Sequence, residues 1–193
     1  MLGNKELAAV ANKLEVPVII SDILSGEDKL TDEVHYGLHS VISDQQPDTA
    51  LLSIALAGLK IANAWHKASP GLAVLKMECE NIVDEYAALW LKNAENKNLS
   101  DSDILDALSC VSEDLECLGE LLELAMGFLK SKDETCAALA KILSIQAKSH
   151  AMIADELFSA LYTEMAQIPD IAPAIADQAM TNNVIPFRSR RPA

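Results

Sequence analysis

No arginine precedes Arg188 in a chain of 193 residues, and residues 1–180 carry 12 lysines against 29 acids, a net charge of −17. A body this acidic excludes a large nucleic-acid footprint, because phosphate contacts need clustered Lys and Arg. Aromatic residues are only 4% of the chain, which argues against a sheet-rich fold. Seven Gly and seven Pro exclude collagen-like and low-complexity chains. No apolar stretch reaches the ~20 residues that cross a bilayer. The richest window, 50–65, has 12 apolar residues of 16 and carries Lys60 and Asn63, so it reads as a buried bundle helix and no stable membrane insertion is expected. The first residues show no secretory signal. Cys79, Cys110, Cys117 and Cys136 form neither a C-x-x-C pair nor a zinc-finger spacing. On one helix, Cys110 and Cys117 have Cα atoms ~10 Å apart, beyond disulfide reach. Reduced thiols in a cytoplasmic protein are the expectation.

The motifs of common chemistries are missing as well. The chain has no G-x-S-x-G elbow, no Gly-rich phosphate loop and no Glu-x-x-His of the di-iron bundles; its nearest approach is Asp32-x-x-His35. No cysteine has a histidine within one helical turn. No catalytic residue and no cofactor are predicted.

Helix formers fill the space. Leu and Ala make up 55 residues, and both rank high in helix propensity. The expectation is an all-α protein: an antiparallel bundle of four main helices (49–67, 70–95, 102–130, 133–167) in which the last two form a long αα-hairpin. Residues 1–46 read as N-terminal flanking helices, 47–168 as the bundle core, 169–181 as a short capping helix and 182–193 as a flexible basic tail. Within the first part, 4–14 and 28–43 read as helices. Pro17 and the β-branched residues around it make 16–20 an extended link. Asp48 and Ser69 are the predicted N-caps of the first two main helices, with Pro70 in the first turn of the second. The hairpin turn carries Ser131-x-x-Glu134, a capping-box pattern.

The third main helix has an unbroken 3-4 seam: Leu108, Val111, Leu115, Leu118, Leu122, Ala125 and Leu129. Leu121, Leu124 and Phe128 form a second stripe that widens its buried face. The fourth helix carries Ala147, Ala151, Ala154, Phe158, Leu161, Met165 and Ile168 in the same register. At 1.5 Å per residue these helices span about 45 and 50 Å, so their ends should overhang the shorter pair unless a second chain covers them. A homodimer is therefore expected.

Three groups of residues are candidates for function. The first is an acidic face. Between 100 and 124 lie Asp101, Asp103, Asp106, Glu113, Asp114, Glu116, Glu120 and Glu123, with no Lys, Arg or His. Acids at the helix start complement its dipole, but those in the middle crowd like charges on one side. A basic partner would relieve that repulsion, so Asp106, Glu113, Asp114, Glu116, Glu120 and Glu123 are the predicted contacts. The second is the tail, where Val184, Ile185 and Phe187 supply apolar anchors and Arg188, Arg190 and Arg191 supply charge. Such a segment suits docking in a groove or on an acidic surface, or weak contact with nucleic acid or anionic lipid. The third is Asp32, His35 and His39, in which an i, i+4 histidine pair on one helix face could chelate a divalent metal, structurally or in an enzyme. The leading expectation is a non-enzymatic adaptor, regulator or assembly component that acts through protein–protein contacts. A metal-binding protein or enzyme, and a weak nucleic-acid-associated regulator using the Arg tail, are the alternatives.

Overall fold

The computed structural model describes residues 4–13, 16–25, 32–93 and 101–166. Among these, every regular element is an α-helix: α1 (Asn4–Lys13), α2 (Val18–Ser25), α3 (Asp32–Ser43), α4 (Pro47–Trp65), α5 (Pro70–Asn93), α6 (Asp101–Leu129) and α7 (Glu134–Ala166). The four long helices agree with the predicted ones to within about two residues at each end, the scatter usual for helix termini.

Helix α4 is the axis of the molecule. Residues 50–59 are buried without interruption, with Ile61 and Ala62 beyond them, and α2, α3, α5, α6 and α7 all pack against it. A helix apolar all round is stable only when enclosed in this way. No described helix is long and apolar enough to cross a membrane. The start of α4 differs from expectation. Gln46 is the N-cap and Pro47 opens the helix, because a proline at the first helical position loses no needed N–H. Asp48 lies in the first turn, where its Oδ1 accepts from the N–H of Thr49 at 2.7 Å.

The turn after Trp65 sends α5 back along α4, with Leu72, Leu75, Cys79, Ile82 and Tyr86 facing inward. Helices α6 and α7 form the hairpin. Ser112 Oγ donates to Asp155 Oδ1 at 2.6 Å and lies 3.2 Å from the Ala151 carbonyl, while Ser144 Oγ donates to the Gly119 carbonyl at 2.8 Å. As numbers rise on α6 they fall on α7, so the two run antiparallel. Gly119 allows a close approach, since a Cβ there would stand 3.0 Å from Lys148 Cγ and 3.4 Å from Ala147 Cβ. The α6 seam is buried from Val111 to Leu129. The second stripe is corrected: Leu121 and Phe128 are half-buried, but Leu124 is 68% exposed.

Two further expectations change. Residues 18–25 are helical, not extended. Pro17 stands just before α2 and its carbonyl accepts from Ile20 at 2.9 Å and Ser21 at 3.3 Å. Burial of Ile20, Ile23 and Leu24 outweighs the few tenths of a kcal/mol per residue by which β-branched side chains disfavour helix. At the hairpin turn the cap is Asp133, not Ser131. Its Oδ1 accepts from the N–H of Cys136 at 3.0 Å, two residues past the start of α7 at Glu134.

That bond, followed by lesser contacts with the Cys136 side chain, the Trp65 indole and the N–H of Thr135, holds the Asp133 carboxyl below its ordinary value of 3.8 despite partial burial. A folded-state value below the unfolded one means the stabilisation is complete above the unfolded value and is lost as pH falls through the folded one. Asp133→Ala is expected to cost about 1 kcal/mol at pH 7. Urea melts at pH 7 and in acid should show that gap closing below about pH 4.

Candidate functional site

The acidic residues of α6 divide by environment. Asp106, Glu113, Glu116 and Glu120 are exposed, and among the described residues no cation stands within ion-pair distance of them. The other two predicted contacts are compensated, which corrects the expectation of a uniformly unpaired field. Glu123 forms an ion pair with Lys148 of α7, and half-buried Asp114 accepts from the Tyr86 hydroxyl of α5 at 3.1 Å. Asp106, Glu113 and Glu120 share the side of α6 opposite its buried seam, whereas Glu116 lies one turn from Ser112 and Gly119, which meet α7.

Helix α5 adds to the same field. Partial burial raises the Cys110 thiol above its ordinary value, and Asp114, Glu113, Glu85 and Asp106 push it further. Burial raises Cys117 in the same way, followed by Glu78, Asp114 and Glu120. Glu78 and Glu85 thus flank the two α6 thiols from the neighbouring helix, so the face spans two helices. Sequence reasoning missed both residues, because only packing brings α5 beside α6; their spacing of seven, two helical turns, is the one signal they carry.

None of the thiols is poised as a nucleophile. Cys79 is fully buried and its thiol is pushed up by desolvation and then by Glu78 and Glu80. Cys136 is pushed up to about 12 by burial and by the Asp133 carboxylate. A nucleophilic thiol needs the reverse, a cationic neighbour that lowers its pKa.

The histidine pair lies on α3. Buried His35 and exposed His39 line a cleft of about 400 Å³ with Tyr36 and Ile142. His39 Nδ1 is 3.3 Å from Ser43 Oγ, which Gln146 of α7 reaches at 3.3 Å through its Nε2. Close by, buried His150 places Nε2 2.8 Å from the Ile42 carbonyl. These contacts fasten the end of α3 to α7. The i, i+4 spacing does turn both rings to one cleft, but among the described residues no three His, Cys, Asp or Glu side chains gather to hold a metal ion. The Asp32 side chain lies outside the described residues.

A second cleft of about 300 Å³, between α1, α4 and α5, is lined by Asn63, Glu80, Asn81 and Asp84 with Leu7, Leu59 and Val83. Glu80 is held there by Lys76 at 3.1 Å. The tail candidates Val184, Ile185, Phe187, Arg188, Arg190 and Arg191 lie outside the described residues, as does the predicted helix over 169–181.

Fold and surface together define an all-α protein with a long hairpin and an acidic face on two adjacent helices. No protein-family model, no curated protein and no solved structure matches the chain.

Proposed function

We propose that the protein is a non-enzymatic docking component, an adaptor or assembly factor of the cytosol, whose α5–α6 face receives a basic surface of a protein partner. One observation carries this reading: four exposed carboxylates of α6 with no cation at ion-pair distance among the described residues, extended by Glu78 and Glu85 of α5. Like charges held on one rigid face repel, and a complementary partner gains both in association rate and in register from such a field. The raised thiols favour this reading over nucleophilic chemistry. Self-association as a homodimer belongs to the same proposal. Leu105 and Met165 close a small cluster at the free end of the hairpin, separate from the main core, with Phe158, Leu161 and Tyr162 only partly buried on it.

The test compares the chain with the variant E113K/E116K/E120K. All three side chains are exposed, so melting should shift little. In low salt, affinity capture from native lysate with mass-resolved sizing should retain a partner on the wild-type chain and lose it on the variant. Retention should also fall as salt shortens the screening length from ~10 Å at 0.1 M to ~3 Å at 1 M. Equal retention by both chains refutes the reading.

A further inference from the structure

The outward side of α6 carries a second heptad line. Asp106, Cys110, Glu113, Cys117, Glu120 and Leu124 follow one another at spacings of 4, 3, 4, 3 and 4, which keeps them on one face. All six are exposed, and no described helix covers them. The line is amphipathic, with thiols and a leucine alternating with carboxylates. On α5, half-exposed Val74 shares the side of Glu78 and Glu85, four and eleven residues before them. The face is therefore both apolar and acidic, and it suits a segment in which apolar side chains adjoin positive charge.

We propose that this face is the dock for the chain's own C-terminal segment, residues 184–191, which occupies it in competition with an outside partner. The proposal rests on the reading of the acidic face as a docking surface and names its first occupant. Three observations select that segment. Charge is the first, since every arginine of the chain lies in 188–191 and the rest of the chain is strongly acidic. Side-chain type is the second, with Val184, Ile185 and Phe187 standing directly before those arginines. Reach is the third. Met165, near the end of α7, packs on Leu105 of α6, one residue from Asp106, where the acidic line begins. From Ala166 to Arg188 the 22 intervening steps can span at most ~75 Å. The line from Asp106 to Glu120 is only ~21 Å long.

The test uses the full chain and its full-length variant R188S/R190S/R191S, with a fluorescent peptide of residues 182–193 as probe and anisotropy in low salt as readout. The peptide should bind the tail-neutralised chain, and adding E113Q/E120Q should abolish that binding. Binding to the wild-type chain should be about tenfold weaker, because a tethered tail competes at millimolar effective concentration. Equal affinity for the wild-type and tail-neutralised chains overturns the proposal. So does peptide binding that survives E113Q/E120Q. A polylysine probe separates the two levels of the argument. Polylysine bound through Glu113 and Glu120 without peptide binding removes the tail as occupant and leaves the acidic face standing; loss of both removes both. A wild-type dimer dissolved by the arginine substitutions places the tail on a second copy and overturns the contact within one chain.

Discussion

Leu118→Asp should abolish cooperative unfolding, whereas Leu124→Asp, six residues further along the same helix, should leave it nearly unchanged. Leu118 is fully buried at the centre of the α6 seam and Leu124 is 68% exposed. Removing the Leu118 side chain forfeits ~1.5–3 kcal/mol of transfer free energy and leaves a cavity that neighbouring helices close only in part. The aspartate then enters an apolar site with no partner. It must either stay ionised at a cost of several kcal/mol or bury a neutral carboxyl without hydrogen bonds. The total is comparable with the ~5–15 kcal/mol net stability of a typical domain. At Leu124 the same substitution remains in water and should fall within about 0.5 kcal/mol of wild type. Circular dichroism melts of the two variants share composition and net charge, so their difference reports only which side of α6 faces inward. Similar melts would show that the register of the hairpin is wrong.

That register is also the clearest case of structure readable from sequence. A 3-4 spacing of leucines sustained from Leu108 to Leu129 has one helical solution with one buried side, and the observed burial follows it from Val111 onward. Leu124 breaks the pattern because apolar identity alone does not place a residue inside; the neighbouring helices cover only part of the circumference. Helix α2 was illegible for a related reason. Val18, Ile19 and Ile20 disfavour helix locally, and only the burial of Ile20, Ile23 and Leu24 decides otherwise. At the hairpin turn, Ser131 and Asp133 are both good caps, and the choice between them rests on where the chain leaves α6. The Lys130 N–H still bonds to the Met126 carbonyl, and the Lys132 and Asp133 N–H groups both return to the Leu129 carbonyl. The turn is thereby tightened until Asp133, not Ser131, reaches the new helix.

The surface was legible in composition and not in pairing. The run of acids on α6 is plain from the residues, because its helical spacing is local. Whether each acid is compensated is a long-range matter. Lys148 reaches Glu123 only because the hairpin closes, and Tyr86 meets Asp114 only because α5 lies beside α6. The same packing brings in Glu78 and Glu85, whose spacing of seven was their one signal among 29 acids. The histidine pair was legible as a shared helix side but not as a site, since its surroundings depend on α7: Gln146 reaches Ser43, the partner of His39, and His150 reaches the Ile42 carbonyl.

Gly58→Leu should be the most damaging change that adds atoms instead of removing them. Gly58 lies in the middle of α4, where glycine costs ~1 kcal/mol relative to alanine, so its presence requires a compensating contact. A Cβ at this position would stand 3.0 Å from Cys79 Sγ of α5 and 3.8 Å from Leu122 Cδ2 of α6. The bare backbone lets α4 approach both helices at once. A leucine there forces them apart, and overpacking of this kind costs about 3 kcal/mol, near the top of the usual range. For a chain of this length that lowers the melting temperature by about 6–12 °C. Gly58→Ala separates the two effects. Alone it should be nearly neutral, as the gain in helix propensity is offset by crowding against Sγ. With Cys79→Ala the sulfur is gone, so the gain of ~1 kcal/mol should reappear as coupling between the two sites in a double-mutant cycle. The consequence reaches the surface as well, because the packing of α5 against α6 is what sets Glu78 and Glu85 beside Cys117 and Cys110. Gly58→Leu should therefore weaken retention of a basic partner at temperatures where the variant is still folded, although none of the substituted atoms touches the acidic face. Unchanged melting together with unchanged retention would show that α4 does not govern the spacing of those two helices.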